Sequence, residues 1–269
     1  MEDRPTTKYN LSNTLVTGSG YRLESAVSGC ERVLLARHPG SRPAGRAREK
    51  AGALVTHPLN RGMDPDPEEN RQGWAERSAN YSPAYYADIG PNEVSETLAA
   101  VFDHYVAENA AILEVGCSSG RHLAHLRGAG YENLTGLDIN ASSFDVMAER
   151  YPRLAETGTF HHGAMEALLP EFEDGAFDVV YSVETLQHVH PEETWLFEEL
   201  VRVTSDLLVT AENEGNSPRR GRGDETVSVV DGEFPLYHRN WKEVFSGLGL
   251  AQLLVEPTDR DTVRVFRVV

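Results

Sequence analysis

The sequence predicts an α/β protein in which helices cover both faces of a mostly parallel sheet. Short apolar segments alternate with segments of helical period from about residue 91 to the C-terminal end. The chain has 269 residues, of which 40% are hydrophobic, and this is enough to fill a sizeable core. Only a few residues separate the last two strand-like segments, which therefore predict an antiparallel hairpin at the C-terminal end of the sheet.

Local patterns place the individual elements along the chain. A polar helix is predicted over 67–80, an aromatic turn follows it, and Pro91 begins an amphipathic helix that continues to residue 107. Beyond this helix, strands and helices alternate. The predicted strands are 111–116, 133–139, 159–163, 177–182, 206–212, 250–257 and 262–269, and the predicted helices between them are 120–129, 142–151, 191–203 and 240–247.

The chain divides into three parts by composition. Residues 1–62 carry scattered Gly, Pro and Arg without a sustained period, and we expect a disordered or weakly structured extension there. A sharper hypothesis is that this extension is not native, because Met63 opens a polar segment at which the charge changes sign. Residues 63–110 are predicted to form an N-terminal helical cap, and residues 111–269 the core domain.

The charge is strongly acidic, with 25 Lys and Arg against 42 Asp and Glu and a net charge of −17 at pH 7. The acid excess lies after residue 62, where Lys242 is the only lysine. This balance favours a halophilic host, with an ordinary acidic enzyme as the alternative, and argues against nucleic-acid binding. No apolar run approaches the ~20 residues of a membrane span, so we expect a cytoplasmic protein without membrane contact. A homodimer is the assembly to be tested.

The segment ILEVGCSSGRHL at 112–123 has the pattern of a buried strand, a tight glycine-containing turn and the start of a helix. Glycine permits positive φ and close approach of a ligand to the backbone, and the exposed amides favour a carboxylate or phosphate. Glu114 near the strand end can hold an amine or a hydroxyl. Asp138 ends the next predicted strand, where an acid can bind ribose hydroxyls.

Other interpretations of this turn are open. Gly116 and Gly120 flank Ser118 in a G-x-S-x-G pattern, which is also the nucleophile elbow of hydrolases. That elbow normally follows several earlier strands, whereas one helix precedes it here. A nicotinamide site would need G-x-G-x-x-G, which is missing. A purely structural turn explains any one glycine, but it does not explain the glycines together with Glu114 and Asp138.

The pattern Glu-x-Gly-x-x-x-Gly, followed by an acid at the end of the second strand, resembles the class I S-adenosylmethionine-dependent methyltransferases. The run HHGAMEALLPEFEDGAFDVVYSVETLQHVHP at 161–191 resembles a later passage of the same family. The resemblance covers about 91–269 and implies a three-layer Rossmann-like methyltransferase fold, with a seven-stranded sheet and S-adenosylmethionine as the cofactor. Two positions depart from the family pattern: Ser118 replaces a glycine, and Ala164 stands where an aspartate often binds the adenine.

The resemblance also implies roles for individual residues. Glu114, Gly116, Ser118 and Gly120 would surround the methionine part of the cofactor, Asp138 would bind the ribose, Ile139 and Met165 would meet the adenine, and Ser182 would lie beside the sulfonium. The aromatic residues Trp74, Tyr81, Tyr85 and Tyr86 would form a lid over the cofactor or simply pack the N-terminal helix on the sheet.

Candidates for the acceptor side follow the fourth and fifth predicted strands. His188 and Glu184 are the catalytic candidates, with His188 as general base for a hydroxyl; a packed, hydrogen-bonded histidine is the alternative. The candidate acceptor-binding residues are Glu212, Arg219 in the long loop 213–233, and Tyr237 and His238 before the last helix. A solvated loop and a docked helix are the structural alternatives. No metal is predicted, because the metal-binding pattern of related enzymes is not matched.

These observations predict methyl transfer from S-adenosylmethionine to a hydroxyl or amine of a small molecule. The stretch from the fourth strand through the long loop resembles methyltransferases of sugar and surface-polysaccharide biosynthesis, which favours a sugar-like acceptor. The alternatives are a regulator that binds S-adenosylmethionine without turnover, a methyltransferase acting on protein or RNA, and aminopropyl transfer from the decarboxylated cofactor.

Overall fold

A computed structural model describes residues 66–215 and 235–269, together with the backbone of three short strands at 23–24, 35–36 and 227–230. The chain divides into two compact units, Met1–Ala51 and Gly52–Val269. In the first unit, β1 (Leu23–Glu24) pairs with β2 (Leu35–Ala36) in antiparallel fashion. The remaining predictions for 1–62, and the prediction for Arg219, lie outside the described residues.

The second unit contains all the other elements. Its helices are α1 (Pro67–Ala75), α2 (Pro83–Ile89), α3 (Glu93–Tyr105), α4 (Arg121–Gly128), α5 (Ser142–Arg150), α6 (Pro152–Thr157), α7 (Met165–Leu168), α8 (Trp195–Val203) and α9 (Trp241–Gly247). Its strands are β3 (Ile112–Val115), β4 (Leu134–Asp138), β5 (Thr159–His162), β6 (Phe177–Val183), β7 (Thr204–Glu212), β8 (Val227–Val230), β9 (Leu236–Arg239), β10 (Ala251–Pro257) and β11 (Thr262–Arg267).

Seven strands form one sheet in the order β10-β11-β7-β6-β3-β4-β5. The strands from β5 to β7 pair in parallel, whereas β11 is antiparallel to both β7 and β10. β11 therefore runs against the other six, and the predicted C-terminal hairpin is confirmed. From β3, the chain builds the sheet first in one direction, to β4 and β5, and then in the other, to β6 and β7. This change of direction at β3 opens a crevice at the carboxyl ends of β3, β4 and β6.

The two faces of the sheet carry different helices, as predicted. Leu113 and Val180 belong to a core cluster that includes apolar residues of α8 and α9. Successive strand residues point to opposite faces, so Tyr181 lies on the other side, where its ring meets that of Phe102 on α3 with centroids 5.5 Å apart. The predicted apolar face of α3 is buried at Val94, Leu98, Val101 and Phe102.

The cap region differs from the predicted single helix over 67–80. α1 ends at Ala75, and the predicted aromatic turn contains the separate helix α2. Ser82 caps α2 by accepting a hydrogen bond from the Tyr85 amide, and Pro83 occupies the first turn, where its missing N–H costs nothing. β8 at 227–230 falls within the predicted loop 213–233, and it pairs with β9, the segment before the last helix. In the described part of the chain, no helix is long and apolar enough to cross a membrane.

Candidate active site

The turn after β3 is shaped by two glycines with positive φ. Gly116 has φ +71° and Gly120 has φ +79°. A Cβ at Gly116 would lie 2.5 Å from Thr185 Cγ2, and one at Gly120 would lie 2.9 Å from the tips of Met147 and Leu154. Both positions therefore need glycine for two reasons, conformation and space.

Ser118, which replaces the family's middle glycine, also adopts the left-handed region with φ 48°. Its amide donates a 2.8 Å hydrogen bond to Asp138 Oδ2 at the end of β4, which links the turn to the next strand. In the described part of the chain the Ser118 hydroxyl bonds no histidine, as a hydrolase nucleophile would require. This geometry disfavours the G-x-S-x-G interpretation.

Asp138 lies at the centre of a set of donors. Besides the Ser118 amide, it accepts bonds from the Asn140 amide at 2.8 Å and the Ser143 hydroxyl at 3.0 Å. Burial raises the pKa of Asp138, while these three hydrogen bonds oppose the rise. A carboxylate offers about four acceptor positions, so Asp138 can take a further donor such as a ribose hydroxyl.

A cavity opens at the carboxyl ends of β3, β4 and β6, beneath α1 and α2. Eight predicted site residues line it: Glu114, Gly116, Ser118, Asp138, Ile139, Met165, Glu184 and His188. Ala164, which departs from the family pattern, also lies on the wall. Five predicted site residues do not line it: Gly120, Ser182, Glu212, Tyr237 and His238. The structure therefore brings both catalytic candidates and most of the cofactor candidates to one cavity, without Gly120 and Ser182, whereas none of the described acceptor candidates lines it.

Glu114 is a buried carboxyl at one end of this cavity. The Tyr181 hydroxyl donates to Glu114 Oε2 at 2.9 Å. Burial raises the pKa of Glu114 to about 8, against the lowering effects of the Tyr181 hydrogen bond and the positive charge of Arg121. A bound amine would compensate the desolvated carboxylate and draw it into the ionised form.

Glu212, a predicted acceptor-binding residue, is fully buried beneath the turn after β6. Its carboxyl oxygens accept from the Ser182 hydroxyl at 2.8 Å and from three successive backbone amides, those of Thr185, Leu186 and Gln187. Burial raises the pKa of Glu212 to about 8, and these donors counteract that rise. The arrangement positions the turn that carries His188, and Ser182 serves the same bond network.

His188 lies in a 3-10 turn that follows β6 and faces the cavity. Its Nδ1 lies 3.1 Å from the carbonyl oxygen of Pro235, which can only accept, so Nδ1 carries the proton. The ring packs against Trp74 with centroids 4.5 Å apart. Burial lowers the pKa of His188 to about 4, so at neutral pH the ring is uncharged and Nε2 is an acceptor.

Glu184 lines the cavity from a strained backbone position, with φ 48°. Its carboxylate forms a 3.2 Å ion pair with Arg260, and its amide donates to the carbonyl of Ala211. Tyr81, another cavity residue, also has positive φ at 62°. Three of the four described non-glycine residues with positive φ therefore line this cavity, and such strain concentrates at functional sites.

Tyr237 and His238 lie on β9 and are buried away from the cavity wall. The Tyr237 ring packs against His190 with centroids 5.6 Å apart. The neighbouring Arg239 donates to the carbonyls of Leu186 and Val189, at 3.3 and 2.6 Å, on either side of His188. β9 thus supports the His188 turn from behind.

Several cavity residues were not predicted from the sequence. Asn70 of α1 donates to the backbone carbonyl of His188 at 2.8 Å, and Arg71 forms ion pairs with Glu166 and Glu193. Asn140 donates to the carbonyls of Trp74 and Arg77 at 3.1 and 3.0 Å. These contacts join residues far apart in sequence, and no local pattern marks them. The predicted lid residues Trp74, Tyr81 and Tyr86 do line the cavity.

Another unpredicted cavity residue is Arg121, although its place directly after Gly120 could have drawn attention to it. Its guanidinium lies over the Tyr86 ring, 5.1 Å from the centroid. Among the described residues, no group of three or more His, Cys, Asp or Glu side chains could hold a metal ion. The predicted absence of a metal therefore stays a prediction.

The glycine turn, the acid at the end of β4 and the buried acid in β3 fit a nucleoside-type cofactor with a charged tail. Gly116 leaves a cradle at the strand end that a Cβ would fill, Asp138 has acceptor capacity for a ribose, and Glu114 is poised for an amine. A parallel sheet with this crevice defines a cofactor-binding α/β protein.

Comparison with known proteins narrows this class. A family model described as a methyltransferase domain matches residues 112–206. An O-methyltransferase of Penicillium expansum, cnsE, is 28% identical over 133 residues, which are 46% of this chain and 48% of that protein. An O-methyltransferase of Aspergillus nomiae, rstn1, is 25% identical over 104 residues, 39% of this chain and 44% of that protein. The matched regions span less than half the length of these curated relatives.

Among solved structures, the 1,6-didemethyltoxoflavin-N1-methyltransferase of Burkholderia thailandensis superposes with a TM-score of 0.59. It is 16% identical, and the match covers 81% of this chain and 94% of that one. This likeness confirms the three-layer fold. Residues 112–206 therefore match the methyltransferase-domain model, and the fold around them is the Rossmann-like methyltransferase fold.

Proposed function

We propose that this protein transfers the methyl group of S-adenosylmethionine to a hydroxyl group of a small-molecule acceptor. The observation that carries the proposal is one continuous cavity that holds both sets of groups. Glu114 and Asp138 lie on the wall where the cofactor would bind, and His188 lies on the same wall with an unprotonated Nε2. The two curated relatives named above are O-methyltransferases, which favours a hydroxyl over an amine, although the structural neighbour at 16% identity is an N-methyltransferase.

The chemistry demands little of the side chains, because the cofactor supplies an activated methyl group when bound. The protein has to align the acceptor oxygen with that methyl group and exclude water. α1 contributes residues to the cavity wall, and the contacts of Asn70 and Arg71 hold it there. His188 Nε2 would accept the hydrogen bond of the acceptor hydroxyl and then take its proton, while Pro235 holds the ring in the required tautomer.

Several rings line the cavity. Trp74, Tyr81 and Tyr86 belong to its wall together with His188. Such a wall suits a flat ring or the apolar face of a sugar, and both carry hydroxyl groups. A sugar-like acceptor remains within the proposal. The acidic net charge disfavours protein or RNA acceptors, and a regulator without turnover would not need a neutral histidine there.

Two measurements test the proposal on the full chain. Calorimetric titration with S-adenosylmethionine and S-adenosylhomocysteine, in molar KCl, should show micromolar binding of both. A methyl-release assay over sugars, phenols and amines should then identify a hydroxyl acceptor. His188→Asn should lower turnover and leave cofactor affinity unchanged, with the exposed His104→Asn as the matched control. Folded protein that does not bind the cofactor would refute the proposal.

The remaining predictions are separate from this proposal. The cytoplasmic location, the halophilic host, the homodimer and a non-native extension over 1–62 stay predictions. Mass spectrometry of the native protein tests the last of these, since abundant peptides from 1–62 would contradict it.

A further inference from the structure

The side chain of Asn70 on α1 has a polar atom that the described part of the protein leaves without a partner. Asn70 lines the cavity and is 7% exposed. Its Nδ2 donates a 2.8 Å hydrogen bond to the backbone carbonyl of His188. Its Oδ1 is buried and accepts no hydrogen bond from the described residues. A buried acceptor without a donor is unfavourable, so this oxygen calls for a donor from another molecule.

Asn140 shows that a buried asparagine between α1 and the core can be fully satisfied. It also lines the cavity and is 6% exposed. Its Nδ2 donates to the carbonyls of Trp74 and Arg77, and its Oδ1 accepts from the amide and the hydroxyl of Ser142 at 3.0 and 2.6 Å. The attachment of α1 therefore explains both polar ends of Asn140, but only the nitrogen of Asn70.

The unused oxygen belongs to a residue that lies beside the proposed base. Asn70 and Trp74 are four residues apart on α1, so both project from the same face of this helix. Both contact His188, Asn70 through the backbone carbonyl and Trp74 through the rings, whose centroids are 4.5 Å apart. The cavity wall thus carries two neighbouring acceptors, Asn70 Oδ1 and His188 Nε2. Since the oxygen is shielded from bulk water, its donor has to come from a molecule enclosed in the cavity.

We infer that the acceptor molecule carries a second hydroxyl group next to the one that is methylated, and that Asn70 Oδ1 binds it. This inference rests on the proposed function and deepens it by naming the class of acceptor. The reacting hydroxyl has a single proton, which goes to His188, so Asn70 needs a donor of its own. An uncharged amide oxygen suits a neutral hydroxyl, whereas an ammonium group would favour a carboxylate. The two neighbouring hydroxyls of a catechol or of a sugar ring have this pattern.

The two hydroxyls have different roles in the reaction. The oxygen of the first forms a bond to the methyl carbon, and its proton passes to His188 Nε2. The bond between that carbon and the cofactor's sulfur breaks, and its electron pair stays on sulfur. The second hydroxyl does not react. Its hydrogen bond to Asn70 fixes which oxygen faces the methyl group, so Asn70 determines specificity for the acceptor and for the oxygen methylated.

The test compares each diol with the matching single hydroxyl, by ligand-observed NMR titration of the full chain with S-adenosylhomocysteine present. Catechol against phenol represents the aromatic source, and 1,2-cyclohexanediol against cyclohexanol represents the sugar-like source. A second hydroxyl that found no acceptor would lose its hydration and weaken binding. We expect the diol of at least one pair to bind at least about threefold more tightly, as one neutral hydrogen bond allows. The pair that shows this preference identifies the source.

Two variants separate recognition of the diol from the attachment of α1. Asn70→Leu removes both polar ends of the side chain and should abolish the preference for the diol. Asn70→Asp keeps an acceptor oxygen but loses the donor to the His188 carbonyl, and it should retain the preference. Asn109→Leu is the matched control, because it makes the same change at an exposed position and should bind all four compounds as the wild type does.

The outcomes for the inference and for the proposed function are distinct. Equal or weaker binding of the diol in both pairs by the wild type, or no binding of any of the four compounds, would overturn the inference whether or not the variants fold. Loss of the preference in a folded Asn70→Asp, or its retention in a folded Asn70→Leu, would overturn it as well. Absence of S-adenosylmethionine binding by the wild type would instead refute the proposed function, and the preference for the diol can be measured without the cofactor.

Discussion

Replacing His188 by asparagine should reduce the loss of folding stability that the protein shows when the pH is lowered. The structure holds the ring neutral, with Nδ1 donating to the Pro235 carbonyl and the ring packed against Trp74. An asparagine side chain can place its amide where Nδ1 lies, so His188→Asn keeps this hydrogen bond. It removes the titrating group and part of the packing against Trp74.

The magnitude follows from the pKa of His188, which burial lowers from 6.5 to about 4. Between these values the unfolded chain binds a proton that the folded chain does not, so stability falls as the pH falls from 6.5 towards 4. Above about pH 7 the group has no effect. At about pH 5, the lowered pKa of His188 reduces the free energy of unfolding of the wild type by about 2 kcal/mol relative to neutral pH.

The assay is chemical unfolding of the wild type and of His188→Asn at about pH 7.5 and pH 5. Both proteins lose stability at the lower pH through their other groups, including His122, whose pKa is also lowered by burial. The difference between the two losses of stability gives the contribution of His188. We expect the wild type to lose about 2 kcal/mol more than the variant. His104→Asn, at an exposed position, should show the wild-type loss.

Equal losses in the wild type and His188→Asn would refute this reasoning. Such a result would mean that the pKa of His188 is about the same in the folded and the unfolded chain, so that the ring reaches water in the folded protein. Burial against Trp74 would then not be what keeps the ring neutral.

Three further changes test the rest of the site. Gly116→Ala places a methyl group 2.5 Å from Thr185 Cγ2, at a residue with φ +71°. We expect this variant to be about 2 kcal/mol less stable in chemical unfolding. Gly128→Ala is the control, because the space around Gly128 is open, and it should be neutral or stabilising. Glu212→Ala removes the buried acceptor of four hydrogen-bond donors and should lower the free energy of unfolding by about 3 kcal/mol. Glu212→Gln keeps an acceptor oxygen and should lower it less. Equal losses of stability in the two variants would contradict the hydrogen-bonding role. Asp138→Ala should weaken cofactor binding by about 1–3 kcal/mol in calorimetry, and an unchanged affinity in a folded variant would remove Asp138 from the site.

The sheet could be predicted from the sequence because most of its strands are local apolar runs with clear boundaries. AILEVG at 111–116 and FDVVYS at 177–182 each form a strand within one or two residues of the predicted bounds. The glycine turn and Asp138 could be predicted for the same reason, since a strand end and the turn after it are close in sequence.

The acceptor side could not be predicted in the same way. Glu212 ends a strand at the cavity edge of the sheet, yet its side chain turns inward because the amides at 185–187 need an acceptor. Arg121 and Asn70 reach the cavity through packing between distant elements. The cap helix α2 was missed because the three tyrosines around Ser82 and Pro83 were interpreted as an aromatic turn, although the Ser-Pro pair is a helix start.

The way in which α1 is attached has a consequence for the escape of a bound ligand. Its only buried residue is the polar Asn70, and it is held to the core by hydrogen bonds, ion pairs and the single ring contact between Trp74 and His188. Segments held in this manner open locally at a lower free energy than the sheet beneath them. Amide hydrogens of α1 should therefore exchange with solvent long before those of β3 and β6. The residence time of a ligand would then be set by the opening of this one helix, while the rest of the fold stays closed.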